Sequence, residues 1–363
     1  MNFQHPRWNR KTVLVTLGVA IALPLWLANT AAIGQTPPQS TTQSSEQPTN
    51  SELTQLFVNS SIGNDTTGNG TPASPYKTIT QALRVAQGNA VIMLAPGTYS
   101  SESGETFPVM LKPGITLQGD PANKGRNTII NGGAMFISPT FARQNIAVLA
   151  ADKSAIAGVT ITNPNRRGYG LWIESTSPIV ADNTFTGNTH DGISVTGNGA
   201  PMIRNNYFAE NGANGITIFN SSRPEVRNNI FVKTGFGINV AQNAAPLLVE
   251  NRIADNKDGV VVQGKAQPVL RGNTIENNER DGIVAISSSR PDLGTAGQPG
   301  GNIFRNNGRY QINASAASQI IPAFGNQMAR GRTAGRLDLA GNLAQFDPIA
   351  PAAQTPPTVV STL

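Results

Sequence analysis

Apolar and polar residues in this chain alternate over short runs, and the runs recur at a fixed step. Gly170-Leu171-Trp172-Ile173 is followed by Gly192-Ile193-Ser194-Val195, Gly215-Ile216-Thr217-Ile218, Gly237-Ile238-Asn239-Val240, Gly259-Val260-Val261-Val262 and Gly282-Ile283-Val284-Ala285, successive glycines lying 22 or 23 positions apart. Alternation with period two is the mark of a strand with one buried face, so Ile193 and Val195 are expected inside and Ser194 outside. Two further landmarks keep the same step: Pro178, Pro201, Pro224, Pro246, Pro268 and Pro291, and Asn183, Asn206, Asn229, Asn251 and Asn273. The next asparagine, Asn302, lies 29 positions on, which predicts an insertion of about six residues in the stretch 292–301. Two residues after each asparagine stands a large apolar group: Phe185, Phe208, Phe231, Ile253, Ile275 and Phe304.

Three landmarks in one register define a solenoid, in which each unit buries its apolar face only against its neighbours. No run shows helical spacing and no leucine-rich consensus is present. That leaves a parallel β-helix with two or three short strands per coil. Coils stacked at about 4.8 Å would align Leu171, Ile193, Ile216, Ile238, Val260 and Ile283 in one interior column, and Phe185, Phe208 and Phe231 in another. The repeated asparagine is expected at a turn, its amide bonded to the same residue one coil away. The repeated glycines are expected at tight corners with positive φ. An open sheet edge at the solenoid's end needs a cover. Tyr76–Gln87 supplies one as an amphipathic helix, with Ser74 as N-cap, Pro75 in the first turn and Gly88 past the last. Its apolar face is Ile79, Ala82, Leu83 and Ala86.

The flanks differ in composition. Residues 1–34 carry Arg7, Arg10 and Lys11, an apolar run ending near Leu27, and small residues at Ala32-Ile33-Gly34. They read as an export signal cleaved before Gln35, an uncleaved membrane anchor being the alternative. Residues 35–56 form a Pro, Gln, Ser and Thr linker, 57–346 the β-helix domain, and 347–363 a tail like the linker. The formal charge is +6, and removal of 1–34 leaves 24 basic against 21 acidic residues. That excess gives no basis for nucleic-acid binding. The absence of cysteine excludes disulfides, thiolate chemistry and zinc–thiolate sites.

Several segments together resemble the opening of a bacterial family of unknown function with a pectin-lyase-like fold. They are Gly63-Asn64-Asp65 with Gly68 and Gly70, Ser74-Pro75-Tyr76-Lys77-Thr78-Ile79, Ala95-Pro96-Gly97-Thr98-Tyr99, and Gly104-Glu105-Thr106-Phe107-Pro108. The later Gly-Ile and Asn-Asn repeats are similar to the general β-helix repeat of the same superfamily, and the resemblance spans roughly Phe57 to Phe346. It implies an all-β, single-stranded right-handed parallel β-helix with a short N-terminal capping helix. It brings no catalytic residues. The wider superfamily implies lyases, hydrolases, uronate epimerases and binding proteins, and fold alone does not choose among them.

Four constellations are candidates for chemistry. Arg167, Tyr169, His190 and Asp191 fall on one edge of adjacent coils. Arg would neutralise a uronate carboxylate, and His or Tyr would move a proton, in β-elimination or epimerisation. A turn role competes, because Asp258-Gly259 and Asp281-Gly282 repeat Asp191-Gly192. A glycosidase pair would need two carboxylates about 5–9.5 Å apart; Glu174, Asp182, Glu210 and Glu225 are scattered along the repeat. The loop Gly63–Gly70 offers oxygen ligands for calcium but one carboxylate, Asp65, so a turn is the reading there. Finally, Arg204 and Arg227 share an outward column with Arg271, Tyr207 lies near Arg204, and Trp172 and Phe219 face outward by alternation. Such a face suits an extended, even acidic, glycan.

These observations point to an exported protein that binds or organises polysaccharide at the cell envelope. A polysaccharide lyase or uronate epimerase centred on His190 is the enzymatic alternative, and a surface scaffold or adhesin the structural one. No metal or cofactor is expected.

Overall fold

The computed structural model describes residues 53–343. The expected export signal, most of the linker and the C-terminal tail lie outside the described residues.

The chain winds into three sheets of parallel strands, two of nine and one of ten with an eleventh strand antiparallel at its side, successive coils adding one strand to each sheet; a two-stranded parallel pair, Ile321–Pro322 with Leu337–Asp338, stands apart. One coil runs through Met202–Arg204 in the first sheet, Tyr207–Ala209 in the second and Asn214–Ile218 in the third. Three strands per coil, wound right-handed, is the upper of the two expected values. The expected columns form in register: Leu171, Ile193, Ile216, Ile238, Val260 and Ile283 are Cα partners in sequence along the third sheet, all fully buried. Phe185, Phe208 and Phe231 stack at 5.0 and 4.6 Å with 9° between ring planes, each burial contributing about 2–3 kcal/mol.

Both corners flanking the second sheet obey one rule. A residue in the left-handed region turns the chain, and the next side chain points inward. Asp182, Asn205, Asn228 and Glu250 take φ of 52° to 58° at the first corner, and each precedes a ladder asparagine. There Asn206 Nδ2 donates to Asn229 Oδ1 at 3.0 Å and Asn229 Nδ2 to Asn251 Oδ1 at 3.1 Å, the ladder running on to Asn326. A second ladder, unforeseen, sits five residues later at the other corner: Asn188 to Asn211 at 2.8 Å, Asn256 to Asn278 at 3.1 Å and Asn278 to Asn307 at 2.8 Å. Thr234 interrupts it.

The repeated glycines need a different explanation from the expected one. None of Gly170, Gly192, Gly215, Gly237, Gly259 or Gly282 has positive φ. They face the core, where a Cβ on Gly215 would stand 2.5 Å from the Phe231 ring and 2.6 Å from the Gly237 carbonyl oxygen. Space, not backbone conformation, demands glycine there.

The helix α1 spans Ile79–Val85, shorter than expected, and its N-cap is Thr78, not Ser74. The cause is Asp65, whose Oδ1 accepts from the Lys77 and Thr78 amides at 2.7 and 3.0 Å and holds the preceding residues extended. Glu105, nearly fully buried, continues the cap: Oε2 accepts from the Ile79 amide at 2.6 Å and Oε1 from the Thr80 amide at 3.0 Å. Glu105 and the Thr78 hydroxyl, which accepts from the Gln81 amide at 3.0 Å, thus satisfy the orphan donors of the first turn, while Asp65 fixes the two residues leading into it. The helix buries Ile79, Ala82 and Leu83 and packs on Gln55–Val58, Val91–Leu94 and Val109–Met110, at the N-terminal end of the solenoid. The first strand begins at Gln55, two residues inside the expected linker, because it pairs with Val91–Leu94. Tyr99 fills the same end and donates its hydroxyl to Val58 O at 3.0 Å and Ala95 O at 2.9 Å.

Candidate functional site: an aromatic face on the third sheet

The one antiparallel pairing among the described strands is a hairpin, Ala134–Ser138 with Ala142–Leu149. It folds outside the third sheet and changes what alternation alone predicts for that face. Trp172 does point out of the coil wall, but it is only 1 % exposed. Phe141 covers it edge-on at 6.0 Å, Tyr169 at 5.3 Å, and Phe136 and Leu149 complete the cluster. The expectation that Trp172 is a surface platform is therefore corrected: a segment from an earlier coil lies over it. Phe219 remains half-buried and meets Phe141 at 5.0 Å.

The hairpin tip is fastened by one carboxylate. Glu174 Oε2 accepts from Ser138 Oγ at 2.8 Å and from Trp172 Nε1 at 3.0 Å. Its Oε1 accepts from the Thr140 amide at 2.9 Å and Thr140 Oγ1 at 2.6 Å. Burial pushes the Glu174 carboxyl up, but the bonds from Thr140, Trp172 and Ser138 outweigh it and hold the group below its ordinary value.

The edge constellation is brought together. His190 stacks on Tyr169 at 4.4 Å, and its Nδ1 lies 3.0 Å from Asp191 Oδ1, off the line of a ring N–H hydrogen bond. Burial, then the charge of Asp191, raises the Tyr169 hydroxyl, with Arg167 beside it partly offsetting them. Asp191 is itself buried, and its carboxylate accepts from Ser194 Oγ at 3.1 Å and Asn214 Nδ2 at 3.0 Å. The same column recurs further on with arginine in place of histidine. Arg280 pairs with Asp258, and Arg309 with Asp281 at 2.7 Å. Asp258 and Asp281 also accept the backbone amides of Asp281 and Tyr310 at 3.1 Å. Asp191 is thus one rung of a column of corner-holding aspartates.

The arginine strip is largely neutralised. Arg204 and Arg227 are in-register neighbours on the first sheet, but Arg227 pairs with Glu225 at 2.7 Å and Glu250 at 3.6 Å, and Arg271 with Asp292 at 2.7 Å. Only Arg204 of the three has no ion pair among the described residues. Tyr207 stands around the corner, on the second sheet, packed against Ala209, Val232 and Ala254. It does not extend the aromatic face.

The scattered carboxylates stay apart. Asp182 and Glu210 occupy corners, paired with Lys124 at 3.8 Å and Lys233 at 3.7 Å, while Glu225 is on the first sheet and Glu174 on the third. The Gly63–Gly70 loop turns its oxygens inward: Asn64 Oδ1 accepts from the Thr66 and Thr67 amides at 2.8 and 3.0 Å, and Asp65 is committed to capping. Among the described residues no group of three or more His, Asp or Glu is placed to hold a metal ion.

Three parallel sheets, stacked asparagines and a capped N-terminal end define a pectin-lyase-like parallel β-helix protein. The chain belongs to the family described as "Protein of unknown function (DUF1565)", whose model matches residues 61–333. No curated protein matches it in sequence. Among solved structures, the pectate lyase Pel9A is similar over 80 % of this chain and 78 % of its own, at 14 % identity and a TM-score of 0.53. XylC, solved in complex with xylose, is similar over 75 % of this chain and 67 % of its own, at 14 % identity and a TM-score of 0.51. At such identities the likeness is one of fold.

Proposed function

We propose that this protein works outside the cytoplasm and binds a polysaccharide on the aromatic face of the third sheet. The observation that carries the reading is the gathering of half-buried Phe141, Phe219 and His190 on the outer wall over buried Tyr169 and Trp172, in a chain that is only 6 % aromatic. Ring faces pack on the apolar faces of sugars, and the Thr140 hydroxyl and Asn220 amide beside them suit sugar hydroxyls. Xylose in one structural neighbour and pectate in the name of the other support a sugar ligand. The basic and apolar character of residues 1–34 supports export. The neutralised arginine column favours a neutral glycan over an acidic one.

The test is retention of the full chain on immobilised xylan and pectate. Phe219→Ala, a half-buried position, should weaken retention about tenfold, and Arg227→Ala should leave it unchanged. No retention on either polymer would overturn the reading.

A lyase or epimerase is the second reading, favoured by the proximity of His190 to Asp191 and Tyr169. It requires unsaturated or epimerised product that vanishes in His190→Ala. Against it stand the Asp258 and Asp281 rungs, which use the same corner geometry for ion pairs.

A further inference from the structure

Glu174 is an unusual acceptor for a β-helix wall. Its two oxygens take the two hydroxyls of the hairpin tip, one each: Ser138 Oγ on Oε2 and Thr140 Oγ1 on Oε1. Those hydroxyl oxygens lie 3.5 Å apart. A carboxylate bridging two adjacent hydroxyls, with an indole beside it, is how a protein holds the neighbouring hydroxyls of a sugar ring. The surroundings fit that chemistry. Trp172 donates to Oε2, Phe219 supplies a ring face, and Thr196 Oγ1 stands 3.3 Å from Thr140 Oγ1, itself accepting from Asn220 Nδ2 at 3.0 Å.

The tip is also built to be displaced. Its hairpin is an insertion between the second-sheet strand Thr128–Asn131 and the third-sheet positions from Asn145 onward. The outer side is uncovered, with Met135 59 % and Ile137 70 % exposed. Gly132 and Gly133 precede it, and Ala142, at its far side, takes φ of 57°. Its inner anchorage is Phe136, Phe141 and the bonds to Glu174.

We propose that Glu174 is a diol-binding subsite occupied by the hairpin's own hydroxyls, so that a saccharide with adjacent free hydroxyls binds by displacing the tip. This rests on the glycan reading above and adds to it a ligand class and a competitor. Three tip bonds leave the carboxylate, from the two hydroxyls and the Thr140 amide; two sugar hydroxyls replace the first two, and the freed amide turns to water. The gain comes from a sugar face on Trp172, which the tip otherwise shields. Tip closure and ligand binding are then mutually exclusive, so weakening the tip must strengthen binding.

The experiment uses the full chain and xylohexaose, with fully O-methylated xylan as a diol-free control. Trp8→Phe plus Trp26→Phe leaves Trp172 as the sole tryptophan of three and makes its fluorescence specific. Ser138→Ala plus Thr140→Ala should tighten xylohexaose binding about tenfold and raise acrylamide quenching of Trp172 without ligand. Glu174→Gln should weaken binding, and the methylated polymer should not bind. Thr140→Val, which keeps the side chain's shape, repeats the test at one hydroxyl should the double variant fold poorly. Xylohexaose binding that is unchanged or weakened by loss of the tip hydroxyls overturns the competition and leaves the glycan reading standing. Absence of binding in every variant overturns both.

Discussion

Replacing Asn229 by alanine probes the first asparagine ladder at a buried rung in its middle. The side chain is buried and makes five hydrogen bonds: it donates to Asn251 Oδ1, Ile203 O and Arg227 O and accepts from the Asn206 amide and Asn206 Nδ2. Truncation strands the Asn206 amide, since a methyl group offers no acceptor. One buried unpaired donor costs about 1–3 kcal/mol and the remaining bonds about 0.5–1.5 kcal/mol each, partly recovered by alternative pairing, so the expected loss is about 3–5 kcal/mol. The matched control is Asn326→Ala at the ladder's end. Asn326 accepts from the Asn302 amide and Nδ2 at 3.1 and 2.8 Å but is half-exposed, so water can replace it and the loss should be about 1–2 kcal/mol. Urea unfolding followed by far-ultraviolet circular dichroism measures both. A loss below about 1 kcal/mol for Asn229→Ala, or one no larger than for Asn326→Ala, would refute the view that the ladder holds the coils together.

Three further outcomes are expected. Thr234→Asn should stabilise the chain by about 1 kcal/mol, because it offers Asn211 the side-chain carbonyl that its ladder lacks; an unchanged urea midpoint would count against it. Gly215→Ala should destabilise by about 1–3 kcal/mol through collision with Phe231 and the Gly237 carbonyl, whereas Gly331→Ala, where a Cβ meets nothing within 4 Å, should cost only its backbone strain. The hairpin's hold on Glu174 should be pH-dependent in one direction. A carboxyl held below its ordinary value contributes its stabilisation above that value and loses it as pH falls through the depressed one. Acrylamide quenching of Trp172 in the single-tryptophan chain should therefore stay flat through the ordinary carboxylate range and rise only below it; a rise beginning near neutrality would contradict the geometry.

The coil was legible because each feature that makes it is local and repeated. Ile193 and Val195 face inward because successive side chains of a strand point to opposite sides, and Asn206 meets Asn229 because a constant step puts equal positions above one another. The second ladder was equally legible: Asn188, Asn211, Asn256, Asn278 and Asn307 each follow the first ladder by five residues. The roles of the family-signature residues were not. Asp65 and Glu105 look like loop acids in a motif, and only folding brings them to the first turn of α1, 13 and 26 positions distant from Thr78 and Ile79 in the chain.

The aromatic face divides the same way. Alternation settles that Trp172, Ser194 and Thr217 point away from the core, since that depends only on the strand carrying them. Whether Trp172 meets solvent depends on Phe141, about one coil earlier in the chain, and on a hairpin whose tip closes through Glu174. Whether the arginine column is a charged surface depends on Glu250 and Asp292 reaching it from neighbouring coils, beyond the Glu225 that alternation already places beside Arg227 on one strand. The repeating pattern therefore settles the solenoid, its period and the inward or outward direction of the side chains on the repeated strands. Tertiary structure alone decided what covers, pairs or leaves free the outward ones, because covering and pairing are contacts between segments whose spacing no periodic pattern encodes.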